Sequence, residues 1–163
     1  SSLIELKYDD KGKIAASGKL NLDLFNHLQS LEYYKLKSPK SLGVEWVNDI
    51  VFPILSEYSG LSVIDLLHTS SNHFAEQISD NIDTNSKVLI TGGGAYNDYL
   101  IQRIKDLTDC KIDIPDSTII EYKEALIFGF LGVLRDLNIN NCYSSVTGAK
   151  KDHCSGKIII PKI

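Results

Sequence analysis

Apolar and polar residues alternate from Leu3 to Tyr8, and Lys13–Ser17 can pair back across Asp9-Asp10-Lys11-Gly12. Those four residues supply turn chemistry, with Gly12 free to take positive φ, so the pattern predicts a β-hairpin. Asn21 is placed to cap a short helix carrying Leu22, Phe25 and Leu28 on one face. Residues 32–42 hold Lys35, Lys37, Lys40, two serines and Pro39, follow neither period, and predict a loop. Helical spacing returns after Gly43, at Val44, Val47, Ile50, Val51, Ile54, Leu55 and Tyr58. Pro53 cannot donate to the Asp49 carbonyl, so the helix kinks there or restarts with Pro53 in its first turn. Gly60 ends it. Ser62 caps the next helix, with Asp65 three residues on, and Val63, Leu66, Leu67, Phe74 and Ile78 form its expected buried stripe.

Lys87–Ile90 predicts a short strand suited to the middle of a sheet, and Thr91-Gly92-Gly93-Gly94 follows at once. A helix is expected over Asn97–Leu107, then a second strand at Ile112–Ile114. Thr118 and Glu121 have capping-box spacing at the head of a helix running to about Arg135. Between Ala125 and Leu134 that helix is apolar all round, which predicts burial inside a domain, and Gly129 and Gly132 would let another element approach. Gly156–Ile160 predicts a final strand. Strands alternate with helices, so the expected class is α/β.

The length of 163 residues favours a single domain spanning 1–163. An apolar fraction of 43% and a charged fraction of 23% are ordinary for a globular chain and argue against bulk disorder. A net charge of −4 is a poor footprint for nucleic acid. Cys110, Cys142 and Cys154 lack motif spacing and suggest reduced thiols in a cytoplasmic protein. No apolar run approaches the roughly 18 residues of a membrane span. Methionine is absent and the first residue is Ser1, which suggests a processed chain or a piece of a longer one.

The strongest chemical signal is the order strand, Gly92-Gly93-Gly94, helix. Glycines there let the backbone approach a ligand, and the helix start offers N–H groups and a positive dipole end. The alternative is a tight turn without a ligand. A Rossmann fingerprint would need glycine where Asn97 stands, and no Gly-Lys-Ser/Thr follows for a P-loop. Glu124, at the head of the apolar stretch, either faces a cleft or complements its helix dipole. Lys40 and Ser41 lie in a loop that either binds an anion or is simply solvated. The four histidines lack metal-ligand spacing, so no metal site is expected within the chain.

Val88–Asn97 resembles the adenosine-binding segment of the actin-like, sugar-kinase ATPase superfamily, and the chain as a whole resembles the anhydro-N-acetylmuramic acid kinase family. The matching segments fall in order. Asp9–Gly18 resembles its Asp-x-x-Gly-x-x-Ala-x-x-Gly hairpin, and Pro39–Glu45 its Pro-Lys-Ser-Thr-Gly-Arg-Glu motif. Glu124–Phe128 resembles its Glu-Ala-x-x-Phe helix, and Val146–Ala149 its closing Thr-Gly-Ala. Leu42 and Val44 depart from the family's Thr and Arg.

The resemblance implies a ribonuclease H-like lobe, with a mixed sheet and flanking helices, from an ATP-dependent sugar kinase. The activity it implies is hydrolysis of the 1,6-anhydro ring and phosphorylation of O6, in peptidoglycan recycling. The family's phosphate-gripping Gly-Thr-Ser loop and water-activating aspartate belong to an N-terminal part with no counterpart here. The chain is therefore expected to be the C-terminal lobe, inactive alone, with its general base and most Mg²⁺ contacts on the N-terminal lobe. Gly92, Gly93, Gly94 and Asn97 are expected to line the nucleotide, and Glu124 to face the sugar. Lys40 and Ser41 are placed at the cleft mouth. The partners implied are ATP, a small sugar and the N-terminal lobe, with a homodimer left open. The alternatives are another sugar substrate, a dinucleotide-binding oxidoreductase domain, and a non-catalytic interaction domain.

Overall fold

The computed structural model describes residues 8–37 and 40–160. The first arm of the expected hairpin, residues 3–7, lies outside them. Its second arm is a helix, α1 (Lys13–Ala16), not a strand. The cause is Asp9, whose carboxylate accepts the amides of Ile14 (2.8 Å) and Ala15 (3.0 Å) and so caps the first turn. Lys11 and Gly12 both take positive φ on the way in.

The chain divides into two compact units, one of residues 1–36 and 42–116, the other of residues 37–41 and 117–163. In the first unit α2 (Leu22–Gln29) is capped by Asn21 as expected, its side chain accepting the Leu24 amide. Its buried face is Leu24 and Leu28, with Leu22 exposed. Leu24, Leu28 and Ile54 form the apolar core, with Leu31, Val51, Leu55 and Tyr58 packed on it. The expected loop at 32–42 begins with a helical turn, α3 (Glu32–Lys35). Tyr33 and Tyr34 hold that turn against Trp46, with ring centroids 5.2 and 6.1 Å away.

The expected restart is observed, with Pro53 in the first turn of a new helix: α4 (Val44–Trp46) widens into a π-helical turn at Val47–Val51 before α5 (Phe52–Glu57). The Phe52 amide reaches back five residues to Val47, which removes the clash a proline ring brings to an ordinary turn.

Ser62 caps α6 (Val63–Ser79), accepting the Asp65 amide at 3.1 Å. The deepest face of α6 is not the predicted apolar stripe. It is Thr69, Asn72, His73 and Ala75, while Phe74 and Ile78 are exposed. Thr69, Asn72 and His73 each find hydrogen-bond partners, whereas the buried Ser79 hydroxyl at the end of α6 has none among the described residues. Thr69 accepts the Asn21 amide (3.0 Å), and Asn72 donates to Tyr99 Oη (2.9 Å) and accepts from Arg103 Nε (2.8 Å).

Strands β1 (Lys87–Leu89) and β2 (Lys111–Asp113) pair in parallel, Val88 opposite Ile112. Between them lies α7 (Asp98–Leu107), which completes a βαβ unit packed on α6. The expected α/β class is observed. The sheet among the described residues is two-stranded and parallel, however, rather than mixed.

The second unit holds α8 (Ser117–Asp136) and α9 (Ser144–Thr147). Because α8 already includes Ser117, Thr118 sits inside its first turn and cannot be the cap. Burial of the Ala125–Leu134 stretch is also not observed: Leu126 is 67% and Phe128 70% exposed. A Cβ on Gly129 or Gly132 would meet nothing within 4 Å, so no element among the described residues approaches there. Residues 156–160 form no strand. The tail is held by side chains instead, through Arg135 Nε to the Gly156 carbonyl (2.8 Å) and Asn141 Oδ1 to the Ser155 amide (2.7 Å).

Candidate nucleotide site

The glycine segment leaves β1 and turns sharply. Gly92 takes φ 79°, ψ −178°, a conformation essentially restricted to glycine. Gly93–Tyr96 then form a 3₁₀ turn before α7, so the three glycines do not run directly into the helix. The Gly92 carbonyl accepts the Ala95 amide (3.0 Å), and the Gly94 carbonyl accepts the Asn97 amide (3.1 Å). Asn97 is the cap of α7, its Oδ1 taking the Leu100 amide at 3.0 Å.

Gly93 and Gly94 carry the most informative feature. Neither has positive φ, and a Cβ on either would meet nothing within 4 Å. Among the described residues, packing therefore gives no reason for glycine at these positions. Bare backbone facing open space suits the close approach of a ligand.

These glycines border a cleft of about 510 Å³. Gly93, Gly94, Tyr96 and Asn97 line one side, and the turn Tyr8–Lys11 lines the other. The two sides meet at Gly12. A Cβ there would overlap Asn97 Oδ1 and lie 2.7 Å from Tyr99 Cβ. Gly18 is a second close approach, since a Cβ there would lie 2.5 Å from the Ile64 carbonyl oxygen. In the Asp9–Gly18 segment, then, Asp9 caps α1 while Gly12 and Gly18 let it press against α7 and α6.

The charges around the cleft are paired with one another. Lys13 meets Asp10 at 2.7 Å, which holds the Asp10 carboxyl below its ordinary range and the Lys13 ammonium above its own. Lys11 reaches Asp98 at 3.3 Å.

Glu124, Lys40 and Ser41 belong to the second unit. Glu124 is solvent-exposed on α8, so the premise that it heads a buried stretch does not hold. Lys40 and Ser41 lie in exposed loop, and Pro39 of the same motif lies outside the described residues. Gly43 and Glu45 do have a structural relation, because the Glu45 carboxylate occupies the space a Gly43 side chain would need.

Sequence reasoning missed the Tyr8–Lys11 wall, having treated it as a hairpin turn. It also missed a buried polar hub in the first unit. His73 is 1% exposed and bonds Tyr34 Oη through Nε2 and Gln29 Oε1 through Nδ1, both at 2.9 Å. Since Gln29 Oε1 can only accept, Nδ1 carries the proton and Nε2 accepts from Tyr34. Gln29 in turn donates to Glu76. Burial lowers the His73 pKa from 6.5 to about 4, so the ring is neutral near pH 7. Beside it an apolar pocket of about 390 Å³ is walled by Trp46, Phe52 and Phe74.

Among the described residues, no three His, Cys, Asp or Glu side chains come together as a metal site, and all three cysteines are unpaired. No described helix is long and apolar enough to cross a membrane.

The sequence model of anhydro-N-acetylmuramic acid kinase matches residues 2–161. The chain belongs to the anhydro-N-acetylmuramic acid kinase family. An anhydro-N-acetylmuramic acid kinase of Francisella tularensis subsp. novicida is 33% identical over 171 residues, covering 96% of this chain and 44% of that protein. Those of Clostridioides difficile and Hydrogenovibrio crunogenus are 34% and 31% identical, over 96% and 94% of this chain and 44% of each relative. The chain thus spans less than half the length of these kinases. Membership in the kinase family removes the dinucleotide-oxidoreductase alternative. The narrower assignment to a C-terminal lobe is not supported by these matches, and the family and the partial coverage are what stand.

Proposed function

We propose that this chain is the nucleotide-binding part of an ATP-dependent anhydro-N-acetylmuramic acid kinase, a cytoplasmic enzyme of peptidoglycan recycling. The observation that carries the reading is the pair Gly93 and Gly94, whose glycine identity the packing of the described residues does not require. The residues fit the group: a bare backbone turn at the edge of an open cleft, next to a capped helix start.

Bound ATP supplies the phosphoryl group that ends on the sugar O6, and Mg²⁺ offsets the phosphate charge. Gly92 sets the turn, and Gly93 and Gly94 admit the nucleotide against main chain. Asn97 holds the start of α7 in place beside it. Glu124 accepts hydrogen bonds from sugar hydroxyls, and Lys40 and Ser41 belong to the loop that borders the substrates in the complete kinase. The base that activates water, and most contacts to Mg²⁺, lie on the remainder of the protein. The chain alone is therefore inactive.

An NMR titration with Mg-ATP, with NAD as control, tests the reading. Shifts confined to the Gly92–Asn97 amides with ATP alone support it. A response to NAD alone, or none to ATP, overturns it.

A further inference from the structure

The two walls of the cleft, Tyr8–Lys11 and Gly93–Asn97, come from segments far apart in sequence. An ion pair, Lys11 to Asp98, spans them, but both side chains are exposed and such a pair holds weakly. A second joint is formed by His68 of α6 and Tyr99 in the first turn of α7. The Asp9–Gly18 segment presses a glycine on each of them. A Cβ on Gly12 would lie 2.7 Å from Tyr99 Cβ, and a Cβ on Gly18 would lie 2.7 Å from His68 Cβ. Between those glycines, the Ala15 carbonyl at the end of α1 meets His68 Nδ1 at 2.8 Å. A carbonyl only accepts, so Nδ1 carries the proton and Nε2 is left as the acceptor. Tyr99 Oη stands 3.4 Å from Nε2 and takes a hydrogen bond from Asn72 Nδ2 at 2.9 Å, which leaves its own proton free to turn to His68. The two rings lie 5.5 Å apart.

We propose that His68 and Tyr99 are positioning residues that fix the turn Tyr8–Lys11 to the start of α7 and so set the width of the cleft for its ligand. This rests on the nucleotide reading of the same site. Neither residue lines the cleft, so neither touches what binds there. Contact at Gly12 and Gly18 sets how closely the Asp9–Gly18 segment approaches α7 and α6. The hydrogen bond from His68 to Ala15 keeps it from drawing away, and Tyr99 ties that same histidine to the helix beside the glycine turn.

Equilibrium dialysis of the chain with Mg-ATP, together with amide NMR of the ligand-free chain, tests it at a temperature where every variant is folded. His68→Ala weakens Mg-ATP about two- to tenfold, the range for losing one ordinary hydrogen bond. It also shifts the amides of residues 9–12 and 93–97 before any ligand is added. His68→Asn, whose Nδ2 stands in for the imidazole Nδ1, keeps the bond to Ala15 and restores affinity to within about twofold of wild type. Tyr99→Phe keeps the contact with Gly12 but loses the hydroxyl, and moves both readouts in the same direction as His68→Ala. Ile54→Val, in the apolar core, lowers stability yet leaves both readouts at wild type, which separates positioning from general loosening. If His68→Ala keeps wild-type affinity and amide shifts, if His68→Asn binds no better than His68→Ala, or if Ile54→Val weakens ATP as much, the proposal is overturned and the nucleotide reading stands. Should His68→Ala fail to fold, Tyr99→Phe decides, and wild-type affinity and amides in that variant overturn the proposal. If wild type takes no ATP, the nucleotide reading falls and the proposal with it.

Discussion

Gly12→Ala is the sharpest test of how the cleft is held open. The residue has φ 73°, and its Cα lies against Asn97 and Tyr99. A side chain in the left-handed region costs about 1–2 kcal/mol. The added methyl also overlaps Asn97 Oδ1, the atom that caps α7, and loss of an Asn cap costs about 0.5–2 kcal/mol. Together these give about 2–4 kcal/mol, or a fall in Tm of roughly 5–15 °C for a chain this size. Lys11→Gly is the internal control. Lys11 also has positive φ (60°), but it is exposed, and its bond to Asp98 is a surface ion pair. Relief of strain offsets loss of the pair and added chain entropy, so Lys11→Gly should stay within about 1 kcal/mol of wild type. Differential scanning calorimetry of both variants reads the difference. Equal, small shifts in both would refute the claim that Gly12 is held by packing against Asn97.

Other outcomes follow from the same contacts. Asp9→Ala strips two amides of α1 of their acceptor and should lower stability by about 1–2 kcal/mol in urea melts, whereas Asp23→Ala should not. His73 is buried neutral with a pKa of about 4 against 6.5 unfolded. The unfolded chain therefore binds the extra proton as pH falls through 6.5, and stability drops by up to about 3 kcal/mol by pH 4. His73→Gln should remove most of that slope, and an unchanged slope would assign it to other groups. The apolar face of α8 should bind a hydrophobic dye. Leu126→Ser or Phe128→Ser should reduce dye binding at a stability cost of about 0.5 kcal/mol or less, because both side chains are already exposed.

The parts of the fold legible in the sequence were those decided locally. Asn21 and Ser62 cap the helices they were expected to cap, since an N-cap needs only the next turn. The strand–glycine–helix order around Gly92 was legible for the same reason. Three features were not. Lys13–Ala16 alternates well enough for a strand, but Asp9 outbids that pattern by capping a helix turn. The buried face of α6 is polar because its partners, Gln29, Tyr34, Tyr99 and Arg103, come from distant segments that periodicity does not register. The apolar run of α8 predicts burial only if something covers it, and the chain spans under half of its relatives' length. The Tyr8–Lys11 wall of the cleft was hidden likewise, because the contact that sets it joins Gly12 to Asn97.

The hub around His73 also bears on how this chain can vary. Tyr34, His73, Gln29 and Glu76 form one directed run of donors and acceptors, so replacing Tyr34 or Gln29 takes a partner from the buried His73 at about 1–3 kcal/mol, and replacing His73 or Glu76 takes one from half-buried groups at less. Replacing adjacent members together with apolar groups of similar shape strands less. The pair Gln29→Leu with His73→Leu should cost less than the sum of the single changes. Substitutions at these four positions are thus coupled, and a lineage leaving this arrangement has to move several of them nearly at once.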